Sequence, residues 1–274
     1  MEAAGTDDDM SDNTYFEQER ARFSAPRITW AVQRLILANL AVFAAQLLVG
    51  PFQYLLMPGY DFSREFPGGM LNVWFGFQPD LLIRYGLAWK PFTYMFLHSG
   101  FLHLGFNMLW LYFFGPEVER RLGTMQFYRF FIFCGATGVL LTLLPYFLMG
   151  QNVSVIGASG AVMGVLVAFA MIDPHRQFYI IPFPWPITAR GLVFLVVLLN
   201  LVTSLDQSNT SVATHFGGMI AGFLYMRFAP LLRQRWTGGG VVTPFPRSRR
   251  ASQPQSKVGE AVDNIFKFKD QDRR

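Results

Sequence analysis

Ser159, in the run Gly157-Ala158-Ser159-Gly160 just before an apolar stretch, and His215, which opens another apolar stretch, are residues whose types could do chemistry together. A serine hydroxyl is a poor nucleophile until a base takes its proton, and an imidazole with a near-neutral pKa suits that task. The reaction such a pair serves is acyl transfer, which also needs hydrogen-bond donors preplaced where the oxyanion of the tetrahedral intermediate develops. Candidates for that second task are His103 and Asn107, four apart and so on one helical face. The backbone N–H of Ser159 joins them, because amides at a helix start are unsatisfied and lie at the positive end of the dipole. Asp206 precedes His215 in a loop, a weak position for an acid that must orient a base. A Ser159–His215 dyad is therefore expected rather than a triad.

The elements that carry these residues are apolar. Of the 274 residues, 52% are hydrophobic and 15% charged, with a mean hydropathy of +0.28. The apolar residues come in blocks rather than stripes, the pattern of a polytopic, all-α membrane protein. A helix crosses the hydrocarbon with about 20 mostly apolar residues, and six spans are expected, at residues 35–56, 102–115, 127–149, 159–172, 187–204 and 214–231. The second is short and is expected to borrow residues 89–101; the fourth is expected to start part-way through the bilayer. On this reading Ser159, His103, Asn107 and His215 reach one depth on the outer side, where polar side chains are costly and hence candidates for function. Gly160 and Gly164 on span four, and Gly218 and Gly222 on span six, have the i, i+4 spacing that lets two backbones approach closely. Such packing would bring the Ser159 hydroxyl to the His215 ring. His98 stands near the same outer end, whereas His175, beside Arg176 in a loop, reads as solvated.

Arginines near the span ends, such as Arg27, Arg34, Arg120, Arg121, Arg190 and Arg227, outweigh Arg64, Arg84 and Lys90 on the other side, which places both termini in the cytoplasm. Residues 1–29 form a cytoplasmic segment whose acidic start fits neither a secretory signal nor a transit peptide. Residues 30–232 form the transmembrane domain, and 233–274 a flexible basic cytoplasmic tail. This architecture favours a bacterial-type cytoplasmic membrane. Residues 50–90, rich in aromatics, proline and glycine, read as an interfacial loop partly embedded in the outer leaflet. The formal net charge of +5 is assigned to topology and membrane lipid rather than to nucleic acid. The lone Cys134 builds no disulfide or redox motif, and without a His-Glu-x-x-His pair zinc-protease chemistry is not indicated; no metal or cofactor is expected. Residues 151–158 read as irregular backbone lining an outward-open, water-filled pocket. Span five, aliphatic and with little polar glue, reads as the side of lateral substrate entry.

Taken together, Gly157-Ala158-Ser159-Gly160, His98-x4-His103-x3-Asn107, Glu119-Arg120-Arg121-Leu122-Gly123 and His215-x2-Gly218-x3-Gly222 resemble the rhomboid family of intramembrane serine proteases. The resemblance covers about residues 30–232. It implies a six-helix bundle with a cavity open to the outside, Ser159 as nucleophile and His215 as general base. It also implies an oxyanion hole of His103, Asn107 and the Ser159 amide, and substrates that are transmembrane helices with helix-destabilising, small-residue cleavage sites. Three departures stand out. Trp89-Lys90 replaces a common Trp-Arg, and lysine lacks the bidentate reach of arginine, so weaker anchoring of the first loop is expected. Met163 stands where an aromatic often stacks on the catalytic histidine, so altered positioning of the base is expected. Ala161 breaks the Gly-x-Ser-x-Gly of soluble hydrolases. The rival reading is a catalytically silent member of the same fold that binds membrane helices without cutting them; a transporter or channel is more distant. The sequence leaves the oligomeric state open.

Overall fold

Long apolar stretches offer the backbone neither water nor many polar side chains, so its N–H and C=O groups must pair locally, which a helix achieves. The computed structural model describes residues 27–56, 69–179, 185–204 and 211–237. Helices dominate them: α1 (Trp30–Leu56), α2 (Gly69–Phe75), α3 (Pro79–Tyr85), α4 (Lys90–Thr93, running into a 3-10 turn Tyr94–Phe96), α5 (Phe101–Leu122), α6 (Thr124–Leu140), α7 (Leu143–Met149), α8 (Ser159–Ile172), α9 (Ala189–Ser204) and α10 (Ser211–Thr237). A short antiparallel ladder sets β1 (Gln177–Phe178) against β2 (Ile187–Thr188), with Gln177 opposite Thr188. Two stretches, Trp30–Gly50 and Thr124–Met149, are each long and apolar enough to cross a membrane, and α8 and α9 are shorter apolar helices. Chain contacts separate a unit Met1–Met226 from a second, Arg227–Arg274, whose described residues, 227–237, are helical.

The core of the first unit surrounds α8, most of whose 14 residues are buried, from Gly160 to Ala170. It packs against α5, α6 and α9, and Phe169 meets Phe114 edge-to-face with ring centroids 5.1 Å apart. The outer faces are apolar: Leu102 on α5 is 78% exposed and Phe194 on α9 70%. Asn39, Gln46, Asn72, His98, Asn107 and Asn200 are instead buried. Apolar outside and polar within is the distribution expected when the solvent is lipid. Inside, Gln46 of α1 ties two elements together. Its Oε1 accepts the His98 N–H at 3.0 Å, and its Nε2 donates to Asn72 Oδ1 at 3.0 Å and to the His98 carbonyl at 3.2 Å.

The second expected span needs correction. Span two does not end at Gly115, and of residues 89–101 it takes only Phe101, because the extended backbone of Leu97 and Gly100 breaks the chain before α5, which then continues through Pro116 to Leu122. One charge beyond Gly115, Glu119, is an anchor. The buried Glu119 carboxylate accepts from the N–H groups of Ala31 (3.0 Å) and Val32 (3.1 Å), from Thr124 Oγ1 (2.8 Å) and from the Thr29 hydroxyl. Those amides are the unsatisfied donors of the first turn of α1, where negative charge is favoured. The third expected span, residues 127–149, lies within the apolar stretch Thr124–Met149, which a two-residue turn at Leu141-Thr142 divides into α6 and α7. Pro145 has no N–H to give the Leu141 carbonyl, and Thr142 Oγ1 donates to the Val139 carbonyl at 2.6 Å, turning the chain between α6 and α7.

The expected weakness at Trp89-Lys90 is also overturned. Lys90 is fully buried, and its ammonium donates to the carbonyls of Val73 (2.6 Å) and Gly76 (2.8 Å) and to Gln78 Oε1 (2.9 Å). Three rotatable protons meet three acceptors, so a point charge does here what a planar fork would do elsewhere. The first loop, residues 50–90, falls partly outside the described residues, including Tyr60, Phe62 and Phe66.

Small residues set how closely α10 approaches its neighbours. A Cβ on Gly218 would run into the Gly160 carbonyl oxygen, and one on Gly222 would lie 2.6 Å from that of Gly164. On the other side, a Cβ on Gly217 would meet the Gly138 carbonyl oxygen of α6 at 2.8 Å. Gly218→Ala is expected to lower stability in detergent by about 2 kcal/mol, the scale of an overpacked core, whereas Gly105→Ala, with nothing within 4 Å of the added carbon, should not lower it. Thermal unfolding of the two variants checks this.

Candidate active site

Ser159 is the first residue of α8, and the chain reaches it along an irregular segment held from two sides. Val155 pairs with Phe77, the N–H of each bonding the carbonyl of the other at 2.8 and 3.0 Å. The polar side chains of this segment lie on the same neighbour: Asn152 Oδ1 accepts the Asp80 N–H at 3.3 Å, and Gln78 Nε2 donates to Ser154 Oγ at 3.3 Å. Two residues before the helix, the Gly157 N–H donates to the Tyr94 carbonyl at 3.0 Å, and Tyr94 in turn donates its hydroxyl to the Gly135 carbonyl at 2.7 Å. Gly157 has φ +118, a conformation L side chains rarely adopt, and a Cβ there would lie 2.6 Å from Nε2 and Cε1 of His103. Glycine therefore lets the His103 ring lie against the peptide that leads into Ser159.

His215 sits on α10 one turn before Gly218, so the contact between that glycine and Gly160 delivers its ring to the start of α8. His215 Nε2 is 2.9 Å from Ser159 Oγ. The other ring nitrogen, Nδ1, is 2.6 Å from Asn200 Oδ1 on α9. Asn200 is buried, and its Nδ2 donates to the Val196 carbonyl one turn back at 2.8 Å. No carboxylate is a hydrogen-bond partner of His215 among the described residues, and Asp206 lies outside them.

His103 is held by Ser99, whose N–H donates to Nδ1 at 3.4 Å and whose Oγ is 3.0 Å from the same atom. A nitrogen that accepts a proton donor carries no hydrogen, so in this ring the hydrogen is on Nε2, the side facing Gly157. Asn107 donates from Nδ2 to the His103 carbonyl at 2.9 Å, leaving its second amide hydrogen. His98, fully buried, meets the His103 ring edge-to-face at 5.1 Å. Met163, one turn along α8 from Ser159, packs half-buried against the core. His175 is exposed in the turn after α8, and no group of three or more His, Cys, Asp or Glu among the described residues could hold a metal ion.

The structure thus brings Ser159 and His215 into hydrogen-bond contact, places His103 against the peptide preceding the serine, and sets Asn107 one turn beyond it. Sequence reasoning missed Asn200. Span five was read as aliphatic with little polar glue, yet the rule that singles out His215, a polar group in an apolar run, applies equally to an asparagine. Gly157 was read as part of a motif, and its contact with His103 becomes visible only in three dimensions.

With this geometry in hand, comparison places the chain among known proteins. The profile of the Rhomboid domain family matches residues 85–230, just over half of the chain. RHOMBOID-like protein 5 of Arabidopsis thaliana is 34% identical over 190 residues, covering 68% of this chain and 58% of that protein. Rhomboid protease GluP of Bacillus subtilis (strain 168) is 31% identical over 169 residues, covering 59% and 31% respectively. Rhomboid protease GlpG of Salmonella typhi is 26% identical over 225 residues, covering 78% and 67%. The chain spans only part of the length of the first two. It belongs to the rhomboid family, whose members are embedded in membranes.

The site makes one prediction of its own. Gly157→Ala places a methyl group into the His103 ring; if Ser159 is the nucleophile and His103 an oxyanion donor, labelling of Ser159 by a fluorophosphonate is expected to slow by about 10²-fold, the cost of one displaced donor. Unchanged labelling kinetics in a folded variant would refute the link between Gly157 and His103.

Proposed function

We propose that the chain is an intramembrane serine endopeptidase that cuts transmembrane helices of other proteins near the outer membrane face. The observation that carries the reading is the 2.9 Å contact between His215 Nε2 and Ser159 Oγ at the N-terminus of α8. His215 takes the Ser159 proton as Oγ attacks the scissile carbonyl. The C–N bond then breaks, with the proton passing from His215 to the leaving amine, and an acyl-enzyme remains. Water, deprotonated by the same imidazole, releases the acyl group. The oxyanion is received by the Ser159 N–H, the Nε2–H of His103 and the amide of Asn107. Ser159 and His215 form a dyad as the reacting groups.

The reading assigns six spans to α1, α5, α6 with α7, α8, α9 and α10. The 14 residues of α8 extend about 21 Å at 1.5 Å per residue, short of the ~30 Å hydrocarbon core. A helix that reaches the cytoplasmic face therefore starts part-way through, with Ser159 at the end of a pocket open to the outside. The arginine asymmetry puts both termini in the cytoplasm, with residues 50–90 at the outer interface and 233–274 as a basic tail. A bacterial-type cytoplasmic membrane fits this arrangement. Substrate enters beside α9, whose outer face is apolar at Phe194, Leu198, Leu199 and Val202.

The test uses purified protein in liposomes with a model transmembrane substrate carrying a small-residue cleavage site. Cleavage is expected for the wild type and to fall by at least about 10³-fold in Ser159→Ala and His215→Ala, as for other serine hydrolases stripped of nucleophile or base. A wild type that binds the helix, leaves it intact and resists fluorophosphonate would establish the silent helix-binding relative instead. Lateral entry has a separate check: a disulfide cross-link between α9 and α5 is expected to block cleavage of the transmembrane substrate while the small fluorophosphonate still labels Ser159, and full cleavage by the cross-linked protein would reject that route.

A further inference from the structure

On the reading that Ser159 and His215 react together, we propose that Asn200 is the positioning residue of the base, selecting the tautomer and orientation of His215 in which Nε2 can accept the Ser159 proton. The argument is one of donors and acceptors. A carbonyl oxygen only accepts, so the 2.8 Å contact of Asn200 with the Val196 carbonyl requires the amide nitrogen at that position. The amide oxygen is thereby the atom turned to His215 Nδ1, 2.6 Å away. An oxygen of this kind only accepts as well, so Nδ1 carries the hydrogen. Nε2 then presents its lone pair to Ser159 Oγ at 2.9 Å. The chain of constraint thus runs from a backbone carbonyl of α9, through one amide, to the proton acceptor on α10. When Nε2 takes the serine proton the ring becomes a cation, and the Asn200 oxygen already points at its Nδ1–H, so no group need reorient. Asn200 comes from a helix other than those carrying the serine and the histidine, so the ring is held from the side opposite its partner.

The experiment compares Asn200→Leu, which removes both polar contacts at similar volume, with Asn200→Asp, whose carboxylate oxygen still accepts from Nδ1–H and so keeps the contact that selects the tautomer. Asn200→Leu is expected to lower kcat on the transmembrane substrate by about 10- to 100-fold with KM unchanged, and Asn200→Asp to recover most of it. The second readout is ¹⁵N NMR of histidine-labelled protein with His215 assigned by its alanine variant. The wild type is expected to carry the hydrogen on Nδ1, and Asn200→Leu to gain the Nε2–H form. Wild-type kcat in Asn200→Leu, a loss in which KM alone rises, an Asn200→Asp variant no better than Asn200→Leu, or a His215 ring protonated on Nε2 in the wild type would each overturn the proposal. The NMR readout requires no turnover, so a wild type that never cleaves would refute the protease reading while still testing the Asn200–His215 contact.

Discussion

The close packing of α10 on α8 is the constraint on which the site depends. Lipid gives helices no hydrophobic reason to associate, so two of them stay in contact only where their surfaces come near enough for dispersion and polar contacts to act. Gly218 against Gly160 and Gly222 against Gly164 remove the side chains that would hold the backbones apart. His215 lies one turn from that seam, and its distance to Ser159 follows from the seam's geometry rather than from any loop. The opposite flank of α10 rests on Gly138 through Gly217, so the helix is fixed from two sides and has little freedom to slide.

A second set of contacts holds the segment that precedes Ser159. It is irregular backbone in an apolar setting, which is tolerated only when its polar groups find partners. Phe77 pairs with Val155, and Lys90 collects the carbonyls of Val73 and Gly76 that the short α2 helix and the turn after it leave open. The anchor of the first loop and the approach to the serine are thus one structure. His103 enters on the bare face of Gly157, which joins this framework to α5.

How far the sequence speaks for itself depends on whether a feature is local. The bounds of α8, Ser159 to Ile172, are legible because a glycine-rich turn precedes an unbroken apolar run and Asp173-Pro174 ends it. Ser159 and His215 stand out as polar groups at the edges of such runs. The course of α5 past Gly115 is not legible in that way: Glu119 looks like a water-side charge until Ala31 and Val32, far back in the chain, are seen to donate to it. Lys90 misleads for a similar reason, since its acceptors are backbone carbonyls whose positions no residue type announces. Asn200 has the right chemistry in view, yet only the tertiary placement of α9 beside α10 separates an orienting amide from an asparagine that merely joins helices.

The choice of an amide at Asn200 reaches beyond geometry. A membrane potential does work on any fixed charge within the bilayer, about 2.3 kcal/mol per elementary charge carried through 100 mV. Serine and asparagine side chains present no net charge to that field, and the imidazolium and oxyanion that form together in the proposed reaction sum to zero. With the site at the proposed depth in the bilayer, a carboxylate partner for His215 would couple it to the voltage across the membrane; the amide leaves that voltage with almost no grip on it.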